Sequence, residues 1–195
     1  MSILSVENGE AKISATVKNN GGLACQADMV MGVRDRVTEL PEPPEFSPVD
    51  KTDETQDVGS VMGIIPHRYP FLYVDYISKL EETRVTAVKN LSSCEPSIRE
   101  YSDGYLVLTN SIQPEIISEA GAILLLGNEV NKGKLAFFMG IESAEFKAPV
   151  FPGDQLVMTL ELPKFTRRFG KGTGTLAVGG RVVTEIAMAF ALVDK

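Results

Sequence analysis

PEIISEAGAILLLG, residues 114–127, decides the architecture of this 195-residue chain. Ile116, Ile117, Ala120, Ile123 and Leu124 recur at helical spacing. Pro114 suits a first helical turn, where its missing N–H costs nothing, and Gly127 suits a terminus. The segment is apolar almost all round, so the helix is expected to be buried on most sides, as when a curved sheet wraps around it. The flanking sequence supplies such a sheet. Phe71–Ile77 and Glu82–Leu91 read as strands before the helix, with Pro66–Pro70 as a proline-bounded turn. Lys134–Gly140, Glu142–Ala148, Asp154–Leu162, Gly172–Val178 and Arg181–Val193 read as strands after it, separated by Pro or Gly signals. One long helix among antiparallel strands is an α+β plan.

Further out the character changes. Residues 1–33 read as a β-hairpin, with Ala11–Val17 and Leu23–Val33 joined across Asn19-Asn20-Gly21-Gly22. Residues 34–57 contain four prolines and eight acidic against three basic side chains, the composition of an extended linker. Residues 58–195 are left as the main domain. A faint repeat links the two ends. Shifting the hairpin by 159 positions lays Lys12 on Lys171, Thr16 on Thr175, Gly21 on Gly180, Met29 on Met188 and Asp35 on Asp194. The first 33 residues would then mimic the closing strands of a second copy of the domain, or the match reflects shared hairpin composition.

The net charge of -7 argues against a nucleic-acid partner, which needs a dominant basic face. No apolar run reaches a membrane span, and MSILSVENGE has none of the features of a secretory signal, so a soluble cytoplasmic protein is expected. Cys25 and Cys94 form no CxxC and are expected as buried thiols; with one histidine, no metal site is expected.

Three blocks carry a family resemblance. Ile64-Ile65-Pro66-His67-Arg68-Tyr69-Pro70-Phe71-Leu72-Tyr73-Val74-Asp75, the run from Phe137 to Leu156 with its PVFPGDQL turn, and Gly180–Glu185 together resemble the (3R)-hydroxyacyl-acyl carrier protein dehydratase family, across about residues 60–194. The resemblance implies a hotdog fold, a curved antiparallel sheet around one central helix, assembled as a homodimer or higher oligomer. It also implies an acyl thioester held on acyl carrier protein as the ligand, and no cofactor.

Dehydrating a 3-hydroxyacyl thioester needs a base for the proton beside the carbonyl, an acid for the leaving hydroxyl and a donor that stabilises the enolate. The family uses a histidine in a GHFP turn, a glutamate on the central helix fourteen residues later, and the glycine N–H of an MPG turn at the start of that helix. By this resemblance Glu119 falls on the glutamate. Fourteen residues earlier stands Gly104-Tyr105-Leu106-Val107, so Tyr105 takes the histidine's place. A phenol ordinarily titrates near pH ~10 against about 6.5 for an imidazole, which makes it a poor proton acceptor at neutrality. Pro114 falls on the glycine and has no N–H to give; a shift of one residue would return it to the proline of the turn and put Glu115 on the glycine.

His67, in its PHRYP loop, is read as a structural or ligand-contacting residue rather than the base. Pro114 and Phe138 are placed with it along the acyl-binding site. Lys164, Arg167, Arg168 and Lys171 form the densest basic cluster, which could dock an acidic acyl carrier protein or be a solvated loop. Gly170-Lys171-Gly172-Thr173-Gly174 lacks the spacing of a phosphate loop. The expectation is a dehydratase-like binding subunit with an impaired or silent site, acting beside an active homologue. The alternatives are a working dehydratase using Glu119 with Tyr105, and a scaffold in which residues 1–57 recruit a partner.

Overall fold

The computed structural model describes residues 1–32, 48–101, 104–166 and 168–194. Contacts divide the chain into two units, Met1–Glu42 and Pro43–Lys195.

The first unit is a three-stranded antiparallel meander of β1 (Ser2–Glu7), β2 (Glu10–Asn19) and β3 (Gly22–Gly32). The expected hairpin is its second and third strands. The sequence reading passed over β1, although Asn8-Gly9 is as strong a two-residue hairpin turn as Asn20-Gly21. All four residues take positive φ, which the turn requires and which Asn and Gly tolerate.

The second unit opens with α1 (Val58–Ile64), N-capped by Asp57, whose side chain accepts from the Ser60 N–H at 3.0 Å. Then come β4 (Tyr76–Leu80), β5 (Arg84–Asn90), a small ribbon of β6 (Ile98–Glu100) and β7 (Leu106–Leu108), and the long helix α2 (Gln113–Leu126). Four long strands close the unit: β8 (Lys134–Phe146), β9 (Gln155–Thr166), β10 (Phe169–Val178) and β11 (Arg181–Asp194). The antiparallel sheet runs β4-β5-β9-β10-β11-β8. Of the residues expected as a linker, those up to 47 lie outside the described residues. From there on the chain is tied down: Val49 N–H donates to Gln155 Oε1 at 2.7 Å, its carbonyl accepts from the Tyr76 hydroxyl, and Gln56 bridges to Ile77.

The sheet wraps α2 as the apolar stretch requires. Ile116, Ile117 and Ile123 are fully buried in one cluster with Met158, Leu160, Leu176 and Met188. Each such side chain contributes about 1.5–3 kcal/mol by leaving water. Two glycines set how close helix and sheet come. A Cβ on Gly121 would sit 2.4 Å from Phe190 Cζ, and one on Gly174 would sit 2.4 Å from Ile117 Cγ2. Lys134–Gly140 and Glu142–Ala148 were expected as separate strands but form the single strand β8. Its pairing with β11 skips at Met139 and Glu142, bulges that bend the strand around the core without ending it.

Both cysteines are exposed, contrary to the expectation of buried thiols: Cys25 lies on β3 and Cys94 in the turn after β5. Among the described residues no helix is long and apolar enough to cross a membrane.

Candidate active site

Glu119 projects from the middle of α2 and is only 1% exposed. Its Oε2 accepts two backbone hydrogen bonds, from Tyr73 N–H at 2.8 Å and Val74 N–H at 3.1 Å, while Oε1 is buried with no partner. Burial penalises the charged form strongly; the two amides, and more weakly Lys89, oppose it, and Glu115 adds to it. The balance raises the carboxyl to about 7. At neutral pH the group is therefore close to half protonated.

The segment donating those amides follows the PHRYP turn, and Arg68 fixes that turn. Its guanidinium donates to the carbonyls of Met62, Ile65 and His67, binding the end of α1 to the loop. Tyr69-Pro70 is cis. The result is that His67 faces Glu119. Ligating atoms of His67, Glu115 and Glu119 all lie within 4.8 Å of one another. His67 Nε2 is 3.8 Å from Glu115 Oε1, and its Nδ1 is buried without a partner, like Glu119 Oε1. The entry loop thus brings an imidazole to the carboxyl across 52 residues of chain, a neighbour the sequence reading did not assign to it. A histidine and two carboxylates could also accept a divalent cation by donor type.

The start of α2 is held from the other side. Gln113 is fully buried, its Oε1 accepts from the Thr184 hydroxyl on β11, and its Nε2 donates to Asn110 Oδ1 at 3.2 Å. Pro114 occupies the first turn, as expected. Beneath the loop Lys89 is buried, paired with Glu95 at 2.8 Å and set over the Tyr73 ring. Sequence reasoning missed Arg68, Tyr73, Val74 and Lys89.

The other expected site residues that the structure describes have surroundings of their own. Tyr105 precedes β7 and is 44% exposed, with its carbonyl accepting from Tyr101 N–H. Phe138 lies on β8 in edge contact with Phe190. Arg167 lies outside the described residues. Arg168 pairs with Asp194 and Lys171 with Glu142, so two members of the basic cluster already have carboxylate partners.

A sheet curled around one buried helix, with a carboxyl from that helix facing the entry loop, defines a hotdog-fold protein. Residues 65–187 match the family model described as a FabA-like domain. The 3-hydroxyacyl-[acyl-carrier-protein] dehydratase FabZ of Geobacillus thermodenitrificans is 41% identical over 140 residues, 71% of this chain and 97% of the relative. That of Anoxybacillus flavithermus is likewise 41% identical over 140 residues, covering 71% and 99%. The chain therefore belongs to the FabZ-type 3-hydroxyacyl-acyl carrier protein dehydratase family. Among solved structures, the dehydratase heterocomplex ApeI:P from Xenorhabdus doucetiae has a TM-score of 0.60 at 16% identity, covering 69% of this chain and 91% of that one. smu.793 from Streptococcus mutans, bound to acetyl CoA, has a TM-score of 0.53 at 12% identity, covering 66% and 94%. At these identities both are similar in fold alone.

Proposed function

We propose that the chain binds 3-hydroxyacyl thioesters carried on acyl carrier protein and eliminates water from them only slowly. The supporting observation is Glu119: a buried carboxyl balanced near neutrality, with one oxygen taken by two amides and the other buried without a partner, beside His67. In its protonated form Glu119 gives a proton to the hydroxyl as its C–O bond breaks and the proton beside the carbonyl passes to solvent water; Glu119 then regains a proton from solvent by way of the neighbouring His67. This role for His67 departs from its expected part in ligand contact. The product is a trans-2-enoyl thioester and water.

Removal of the proton beside the carbonyl is the weak step. Tyr105 stands where the family resemblance puts the histidine, and Pro114 offers no amide to the thioester oxygen. Loss of one such donor slows turnover on the order of 100- to 1000-fold, and loss of a general base by roughly 100-fold or more. Tyr105, 44% exposed in this chain, gives no support to a fully active site built on Glu119 and Tyr105.

The chain also pairs with a second hotdog copy along β8. This strand is a sheet edge and exposes Phe137, Met139, Ile141 and Phe146, a row of apolar side chains that a lone domain would leave in water. The partner copy is this chain or an active homologue. Purified protein given a 3-hydroxyacyl thioester of acyl carrier protein, followed by enoyl absorbance beside a histidine-bearing relative, tests the proposal. Slow turnover that disappears in Glu119→Gln is expected. Equal rates for the two proteins would refute the impairment, and turnover insensitive to Glu119→Gln would refute the site.

A further inference from the structure

Around Glu119 the protein holds each carboxylate by one oxygen and leaves the other to a further partner. Glu115 and Glu119 stand one turn apart on α2, where side chains share a face. Glu119 Oε2 is taken by the Tyr73 and Val74 amides, and Glu115 Oε2 accepts from the Ser118 hydroxyl at 3.4 Å. Of the remaining oxygens, Glu115 Oε1 lies 3.8 Å from His67 Nε2, and Glu119 Oε1 is buried without a partner. His67 Nδ1 is buried without one as well. One donor atom from each of the three residues lies within 4.8 Å of the other two.

Two carboxylates at this spacing repel, and the burial of Glu119 raises the cost above that of a solvated helix face. A shared proton relieves one pair of these groups at a time. A divalent cation relieves all three together, cancelling the carboxylate charges and taking a lone pair from the imidazole. The donor types narrow the choice of ion: an imidazole nitrogen beside carboxylate oxygens suits zinc and its first-row neighbours, whereas magnesium and calcium take oxygen alone. Donors bound at about 2.1 Å around a tetrahedral zinc stand roughly 3.4 Å apart, so the widest gap in the cluster has to close by roughly 1–1.5 Å. His67 and Glu115 can supply that movement, because their side chains are 27% and 28% exposed. Glu119 stays fixed, since the amides on Oε2 orient the carboxyl from behind. The exposed sides of His67 and Glu115 also give an ion its way in and leave a coordination position to water.

We infer that His67, Glu115 and Glu119 form a site for a divalent transition ion of the zinc class, and that the ion, once bound, switches off the chemistry of Glu119. The bound ion takes the Oε1 lone pair that a proton needs, so the carboxyl has no proton to give a leaving hydroxyl. The inhibition rests on the role proposed above for Glu119; the binding of the ion does not. The sequence expectation of no metal site came from counting one histidine, and the two carboxylates are brought to that histidine only by the fold.

The test titrates zinc chloride into the metal-free full chain carrying Cys25→Ser and Cys94→Ser, which removes two exposed thiols that would compete for the ion. Calorimetry is expected to show one ion per chain, with magnesium bound at least about tenfold more weakly. His67→Gln and Glu115→Gln each weaken zinc binding by about tenfold or more, while Glu129→Gln, beyond the far end of α2, leaves it unchanged. Zinc also raises the urea midpoint of the parent chain more than that of His67→Gln. No binding, or binding indifferent to both substitutions at the site, overturns the ion site and leaves the proposed function as it stands. In parallel, enoyl formation from a 3-hydroxyacyl thioester of acyl carrier protein falls as the site fills and returns when EDTA removes the zinc. Turnover unchanged at full occupancy overturns the inhibition and the acid role of Glu119 with it, while the ion site stands.

Discussion

Replacing Glu119 by Gln should make the protein's stability respond differently to pH. Folding raises this carboxyl from 4.5 to about 7, so the folded state holds the proton more tightly than the unfolded chain does. The corresponding stability is fully present below about pH 4.5 and is lost as pH rises through 7. Between pH 5 and pH 8 the wild type should lose about 2–3 kcal/mol from this group, since each tenfold difference in proton affinity between the two states is worth about 1.36 kcal/mol. Glutamine keeps an oxygen for the Tyr73 and Val74 amides and carries no titrating proton. The difference in unfolding free energy between variant and wild type should therefore move by about 2–3 kcal/mol in favour of Glu119→Gln from pH 5 to pH 8. Other titrating groups cancel in that difference. Urea unfolding of both proteins at the two pH values measures it. A change below about 0.5 kcal/mol would show that water or a cation reaches Oε1, and would refute the balance of burial against two amides.

Tyr105→His should raise kcat for water elimination by roughly 100-fold with little change in KM, if that position supplies the base; enoyl absorbance reads this, and an unchanged kcat would move the base elsewhere. Gly121→Ala should lower stability by about 1–3 kcal/mol, because the new methyl meets the rigid Phe190 ring at 2.4 Å; urea midpoints show it. Glu95→Ala should cost about 3 kcal/mol or somewhat less by leaving the Lys89 ammonium buried without its partner. The double variant with Lys89→Met should recover most of that loss.

The helix was legible because one short stretch carries both its period and its burial, and observed α2 begins at Gln113 and ends at Leu126, one residue before each expected boundary. Glu119 was legible for a similar reason, as a lone carboxyl in an apolar run. Its surroundings were not. The two amides that bind it are backbone groups, which leave no mark in side-chain pattern, and His67 reaches it only because Arg68 ties three carbonyls into one turn. Gly140 looked like a strand break because a bulge and a stop share the same local signal; pairing partners on β11 decide between them. The exposed thiol of Cys25 follows from β3 lying in a separate meander, which the chemistry of cysteine does not reveal.

Two amides on one oxygen make the Glu119 carboxyl lopsided. A free carboxylic acid offers its proton from either oxygen and along several directions, but here Oε2 is taken by the amides and Oε1 alone has no partner. On the proposed function, the leaving hydroxyl must come to that atom. If one of two mirror-image carbinols held by the same thioester arm presents its hydroxyl there, the other presents a hydrogen. Handedness in the substrate would then be selected by two backbone N–H groups that never touch it.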